Sequence, residues 1–205
     1  MTRLLVATNN RGKLSEILSL LDGLSLDIIT PEKIGITLDV AENGNTYEEN
    51  ASLKALAFAR ASGLVTLADD SGLEVDALDG LPGVRSARFS PLPNATDADR
   101  RTYLLNLLKV HPHPWTTHFH CTVAIATPEE EIYFYQGNCP GEIIALERGT
   151  NGFGYDPIFL LPEVGLTMAE LSMSEKNLLS HRARAIKAAI PTLLDILHKP
   201  PIQSL

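Results

Sequence analysis

Leu67-Ala68-Asp69-Asp70-Ser71-Gly72-Leu73-Glu74-Val75-Asp76-Ala77-Leu78 is the stretch on which the fold turns. Val65, Leu67 and Ala68 form a short apolar run that reads as a buried strand, and two adjacent carboxylates, a small hydroxyl and a glycine interrupt it. Apolar alternation resumes at Leu73, Val75 and Ala77. The pattern predicts a strand that stops at Asp69-Asp70 and leaves carboxylates at the edge of a core. In an open α/β sheet, ligands sit in the crevice at the carboxyl ends of the strands. Asp69, Asp70 and Ser71 are therefore placed to hold a hard cation or an attacking water. Asp, Ser and Gly are also ordinary turn formers, and on this stretch alone a solvated turn is an equal reading.

N-terminal to it, Arg3 to Thr8 is a compact apolar run that ends in Asn9-Asn10-Arg11-Gly12-Lys13, and Leu14, Ile17, Leu18 and Leu21 then recur at helical spacing. Leu26 to Thr30 predicts a second strand, closed by Pro31. Thr46 with Glu49 makes a capping box for a helix through Ala51, Leu53, Leu56, Ala57 and Phe58 to Gly63, which leads into the strand at Asp69. On the C-terminal side, Asp79 to Gly83 is a loop and Thr96 to Val110 a helix. Phe119–Thr127 and Glu131–Gln136 read as two strands joined by an acidic turn. A glycine-rich loop from Gly149 to Tyr155 precedes the apolar run Pro157 to Leu161. Leu179, Ala183, Ile186, Ile190, Leu193 and Leu197 place one stripe on a final helical element from Ser174 to His198, which Pro191 is expected to kink or divide.

The fold class is mixed α/β. Residues 1–205, 44% of them hydrophobic, are enough for one domain with a proper core, and no linker or repeat marks a boundary inside it. Acids outnumber bases 25 to 17, for a net charge of −8, which argues against a nucleic-acid polymer as partner because phosphate-backbone affinity needs a basic surface. A small phosphorylated ligand needs only local cations. Cys121 and Cys139 form neither a CxxC pair nor a disulfide framework, which fits a reducing, cytoplasmic compartment. No apolar run approaches the roughly 20 residues that cross a bilayer, so no membrane partner is expected.

Several stretches could join the carboxylates in a site. A strand ending in small polar residues and Gly12-Lys13 before a helix offers backbone N–H groups, a positive helix end and a lysine to an anion, although it is not a Walker A sequence. Its plain alternative is a capped, Asn-rich turn. Lys54 sits among Leu53, Ala55, Leu56 and Ala57, so its ammonium must snorkel to solvent or enter a polar recess. Glu42, in a loop with Asn43 and Gly44, is a candidate metal ligand, whereas Glu49 is assigned to capping. Phe153 between Gly152 and Gly154 offers a flat face on which a base would stack, worth about 1–3 kcal/mol in single-stranded nucleic-acid binding. The alternative is a tight turn with Phe153 or Tyr155 folded inward. Lys176 with Ser180-His181-Arg182 gathers three cations, which taken alone read as a solvated basic helix face. Together these are the parts of a nucleoside-triphosphate site.

Six ordered blocks resemble the inosine triphosphate pyrophosphatases: Thr8 to Lys13, Glu42 with Glu49-Asn50-Ala51, Ala68 to Leu73, Pro82 to Phe89, Gly152 to Phe159 and Ser180 to Ala183. The resemblance implies an elongated mixed sheet with flanking helices, two lobes around a central cleft, and a homodimer that uses Mg2+. It implies that Thr8, Asn9, Asn10, Arg11, Gly12, Lys13 and Lys54 hold the triphosphate. Glu42 and Asp70 would bind the metal, with Asp69 as a further candidate, and Asp70 would be the proton acceptor. Ser71 would touch substrate. Phe153, Gly154, Tyr155 and Asp156 would hold base and sugar, and Lys176, His181 and Arg182 would close over the purine. The activity implied is house-cleaning hydrolysis of ITP, dITP and XTP to the monophosphate and pyrophosphate. Two rival readings are a nucleotide-binding regulatory module, which would not need the acids, and a pyrophosphatase acting on modified pyrimidines.

Overall fold

The computed structural model describes residues 2–198; Met1 and residues 199–205, which the single-domain expectation included, lie outside the described residues. Twelve main elements follow one another along the chain: β1 (Thr2–Val6), α1 (Arg11–Leu20), β2 (Leu26–Ile29), α2 (Tyr47–Ser62), β3 (Thr66–Val75), α3 (Asp97–Leu108), β4 (Trp115–Ala126), β5 (Ile132–Ile143), β6 (Phe159–Leu161), β7 (Leu166–Thr167), α4 (Met173–Leu179) and α5 (His181–His198). The strands form one seven-stranded sheet in the order β2-β1-β3-β4-β5-β6-β7. β1 is parallel to both β2 and β3, whereas β5-β6 and β6-β7 pair antiparallel, so the sheet is mixed.

Local chemistry sets the helix starts. Asn10 caps α1 by accepting from the Lys13 N–H at 3.0 Å. Thr46 caps α2 by accepting from the Glu49 N–H, and Glu49 reaches back to the Asn45 N–H at 2.6 Å. Thr96 with Asp99, and Ser172 with Glu175, close full capping boxes on α3 and α4. Gly63, at φ +65°, ends α2 in the left-handed conformation that only glycine adopts without cost.

The chain folds into two compact units. The first takes the described residues up to Asp69, then Thr122–Tyr135 and the residues from Ala185 onward; the second takes Asp70–Cys121 and Gln136–Arg184. Each has its own core. In the first, Leu5, Ala7, Ile29, Ala51, Ala55, Phe58, Ala68 and Ala124 pack together. In the second, Leu73, Val75, Leu104, Leu108, Trp115, Phe119, Ile158 and Phe159 do so. Among the described residues no helix is long and apolar enough to cross a membrane.

Three expectations need correction. β3 does not stop at the aspartates: it runs unbroken from Thr66 to Val75, with Asp69 and Asp70 buried in mid-strand. The carboxylates stay there because they have partners, Lys13 for Asp69 and the Ser71 N–H for Asp70, so no solvated turn is required. β4 begins at Trp115 rather than Phe119, and β5 continues past Gln136 to Ile143. The last helical element divides at Ser180, not at Pro191, which lies inside α5. Ser180 is extended, at φ −69° and ψ 156°, and its hydroxyl accepts from the Ala183 N–H at 3.2 Å, so it ends α4 and caps α5.

Candidate active site

In the first unit the candidate phosphate-binding lysines gather around the buried Asp69 and the half-exposed Glu42. The loop after β1 places Thr8, Asn9 and Asn10 before α1; the Asn10 N–H donates to the Thr8 hydroxyl at 3.2 Å, so the loop is self-braced. Asn10 thus serves the capping role that competed with anion binding, while Lys13, from the first turn of α1, lies 3.2 Å from Asp69 Oδ2. Arg11 is exposed and Gly12 half-buried. Lys54, on α2, does not snorkel. Its side chain is only 12% exposed, and its Nζ donates to Glu42 Oε2 at 2.9 Å and to the Asp69 carbonyl at 2.7 Å. Two lysine ammonium groups are therefore held by one residue, Asp69, through its carboxylate and its carbonyl.

In the second unit, Asp70 is buried and one of its oxygens accepts from the Ser71 N–H at 3.0 Å. Arg182, at the start of α5, is 1% exposed, and its Nη2 donates to Ser71 Oγ at 2.8 Å. The expectation of a solvated basic face fails here. Lys176, on α4, and His181 and Arg182, at the start of α5, are all buried, each against a specific neighbour. Lys176 Nζ lies 2.6 Å from Asp156 Oδ2, a pair whose side chains are 6% and 5% exposed. His181 stacks on Phe119 at 4.7 Å between ring centres, and Phe119 stacks in turn on Phe159 at 4.3 Å.

Phe153 is the aromatic the loop presents. The Lys176 ammonium lies 5.3 Å and the Arg182 guanidinium 5.8 Å from its ring centre, both within cation–π range. The Phe153 N–H donates to Asp156 Oδ2 at 2.9 Å, so one carboxylate fixes both the loop backbone and the lysine. Gly152, at φ +76°, is required on two counts: the backbone favours glycine, and a Cβ there would stand 2.0 Å from Asp156 Oδ2. Tyr155 is folded into the core, its hydroxyl donating to the Ser86 carbonyl at 2.9 Å, and burial raises its phenol above the ordinary value. Tyr155 and Asp156 thus shape the loop from behind.

Two residues that sequence reasoning missed also hold this loop. Asp97 Oδ2 accepts from the Gly154 N–H at 2.8 Å, and Arg101 Nη1 donates to the Gly154 carbonyl at 2.8 Å. Both come from α3, more than fifty positions earlier in the chain, and nothing in the local pattern of α3 signals it. Burial pushes the Asp97 carboxyl up, but its bonds to Arg100 and to the Gly154 N–H, with the charges of both arginines, outweigh that and hold it below the usual carboxylate range.

The donors suit a hard cation. Glu42, Asp69 and Asp70 are all carboxylates, and the cation that Glu42 now engages is the Lys54 ammonium. Among the described residues no three His, Cys, Asp or Glu side chains form a ready cluster for a metal. Mg2+ asks less than that: it is usually bound through one or two carboxylates, with waters and substrate phosphates completing its shell.

The family model of the Ham1 family matches residues 4–192. A dITP/XTP pyrophosphatase from Listeria monocytogenes is 43% identical over 97% of this chain and 98% of its own length. One from Geobacter sulfurreducens is 49% identical over 91% of this chain and 94% of its own. Among solved structures, a HAM1 protein from Coxiella burnetii superposes with a TM-score of 0.85 at 38% identity, covering 95% of this chain and all of that one. The Staphylococcus aureus Ham1 protein gives 0.82 at 38% identity, over 95% of this chain and 99% of its own. A family match through nearly every element, joined to relatives this similar over almost their full length, places the chain in the Ham1 family.

Proposed function

We propose that this chain hydrolyses the non-standard purine nucleoside triphosphates ITP, dITP and XTP to the monophosphate and pyrophosphate, with Mg2+. The observation that carries the reading is Lys54, an ammonium kept 12% exposed on an apolar helix and held by Glu42 Oε2 and the Asp69 carbonyl beside the Lys13–Asp69 pair. A largely sheltered ammonium held by a carboxylate and a carbonyl is a poised counter-charge for a polyanion. The names of the relatives, dITP/XTP pyrophosphatases, support the same substrate class.

In this mechanism Lys13 and Lys54 exchange part of their carboxylate contact for phosphate oxygens, with the loop from Thr8 to Gly12 supplying backbone donors. Glu42 and Asp70 would hold Mg2+, with Asp69 as a further candidate, and the ion when bound would neutralise phosphate charge as a Lewis acid. Asp70 orients and deprotonates the attacking water for displacement at the α phosphorus, one of its oxygens held by the Ser71 N–H at 3.0 Å. Phe153 stacks on the base, and Arg182 or a backbone N–H donates to the 6-oxo group. Adenine presents an amino donor there and leaves those donors unpaired, a mismatch that hydrogen-bonding sites reject by about 10⁴–10⁵. The working form is a homodimer in the cytoplasm; sedimentation tests the first and fractionation the second.

The test is pyrophosphate release from ITP, XTP, dITP, GTP, ATP and dTTP, each with Mg2+ and with EDTA, on wild type and Asp70→Asn. Metal-dependent release from ITP, dITP and XTP, abolished in Asp70→Asn, is expected. Equal turnover of ITP and ATP would overturn the base selection. Activity on dTTP would move the chain to the pyrimidine-acting class, and binding without turnover to the regulatory one.

A further inference from the structure

We infer that Asp97 and Arg101 are positioning residues that set the affinity for the base by bracing the backbone of the loop that carries Phe153. The inference rests on the proposed role of Phe153 as the base platform. Three glycines of this loop, Gly149, Gly152 and Gly154, have φ of +81°, +76° and +61°, so the segment is built from residues with the most backbone freedom to lose. A platform of that kind stacks well only if something outside it removes the freedom beforehand.

Side chains do this at consecutive amides. The Phe153 N–H ends on Asp156 Oδ2 at 2.9 Å and the Gly154 N–H on Asp97 Oδ2 at 2.8 Å, so two carboxylates from distant parts of the chain hold successive peptide groups. Arg101 then takes the other end of the Gly154 residue, its carbonyl, at 2.8 Å. Both polar backbone groups of Gly154 are thereby held by side chains one turn apart on α3.

The brace is itself held in place. Glu147 grips the Arg101 guanidinium with both oxygens, at 2.8 and 3.0 Å, leaving Nη1 aimed at Gly154. The Arg101 side chain is 12% exposed, little enough for its bonds to be worth more than those of a surface pair. Arg100 pairs with Asp97 and donates to the carbonyls of Ala87 and Ala95, at 3.1 and 2.7 Å, which anchors the start of α3. Arg101 and Asp97 reach the loop at the carbonyl and the N–H of Gly154, the residue next to Phe153, so their effect passes through the Gly154 peptide.

The experiment compares wild type, Arg101→Met, Arg101→Lys and Glu147→Gln by kcat and KM for ITP and XTP, together with hydrogen exchange at the Gly154 amide without substrate. Loss of a charged hydrogen bond to the loop predicts a rise in KM of about tenfold or more in Arg101→Met with kcat within about twofold. Arg101→Lys, which keeps a donor for the carbonyl, recovers part of that rise. Glu147→Gln, on the exposed end of the brace, shifts KM the same way by about two- to threefold without threatening the fold. Exchange at Gly154 speeds up in Arg101→Met. A fall in kcat at unchanged KM, or folded variants with wild-type KM and wild-type exchange, overturns the inference. Faster exchange together with no turnover of ITP or XTP by wild type would instead leave the brace standing and refute the base-platform reading.

Discussion

Replacing Lys176 by methionine removes the ammonium from a carboxylate that burial prevents water from reaching. Lys176 Nζ and Asp156 Oδ2 are 2.6 Å apart, and their side chains are 6% and 5% exposed. Methionine matches the length of the lysine stem, so packing is nearly conserved and the charge is what changes. Breaking a buried pair from one side costs about 3–5 kcal/mol, because the desolvation of the remaining charge is no longer offset. The Phe153 N–H still donates to Asp156, which puts the expectation toward the lower end. For a chain of this size each kcal/mol moves the melting temperature by about 2–4 °C, so Lys176→Met should melt roughly 6–12 °C below wild type. Asp156→Asn added to Lys176→Met removes the stranded charge and keeps an oxygen for the Phe153 N–H. The double variant should therefore be more stable than Lys176→Met alone, and urea titration of the four proteins measures the coupling. A double variant destabilised by the sum of the two single changes would refute the reasoning, as would a Lys176→Met protein that melts with wild type.

Lys54→Met should lower kcat by about 10²–10³, the usual effect of losing one preorganised charge at a developing anion, while leaving a folded protein because Glu42 is exposed enough to be rehydrated; steady-state kinetics beside a thermal melt separates the two effects. Gly152→Ala places a Cβ against the Asp156 carboxylate in a backbone conformation alanine resists, so ITP affinity should drop at least tenfold by calorimetry, and wild-type affinity would show that the loop tolerates displacement. Burial pushes the Cys139 thiol up to about 11 from the 9.0 of an ordinary thiol, so native protein at pH 8 should resist iodoacetamide and label once unfolded in urea. The protonated native thiol stabilises the fold fully below about pH 9, and that contribution is lost as pH rises to about 11, a decline visible in pH-dependent melts.

Where a single residue carries two incompatible demands, the sequence is readable. Lys54 among apolar neighbours had either to snorkel or to find acceptors, and the helix places it on Glu42 and the Asp69 carbonyl. Thr46 and Thr96 mark helix starts through bonds that span only three residues, whereas the start read at Ser174 lies at Met173, capped by Ser172. What was illegible depends on partners far away in sequence. Asp69-Asp70 looked like a strand end because nothing nearby shows that Lys13 neutralises Asp69 across more than fifty positions. Ser180 looked like an interior helical residue and Pro191 like the breaker. The serine hydroxyl, however, can cap the next helix, while α5 continues through the proline. Arg182 flanks the buried stripe, and whether it faced solvent or a cleft depended on Ser71, 111 positions before it, which supplies the acceptor. Asp97 and Arg101 gave no signal at all, since a charged first turn on a capped helix is unremarkable without Gly154 beside it.

The way the chain is shared between its two units bears on synthesis. It passes from one unit to the other four times, after Asp69, Cys121, Tyr135 and Arg184. The first unit, which begins the chain and holds Lys13 and Lys54, is completed only by residues from Ala185 onward, where Ala185, Ile186, Ala189 and Leu193 are buried and Thr192 meets the Tyr135 hydroxyl. A nascent chain on the ribosome therefore exposes its earliest lysines without the helix that finishes their core. A chain cut short anywhere before α5 lacks the buried face that Ala185, Ile186, Ala189 and Leu193 supply, so it should expose the core of the first unit and be cleared by proteases rather than persist as a partial enzyme.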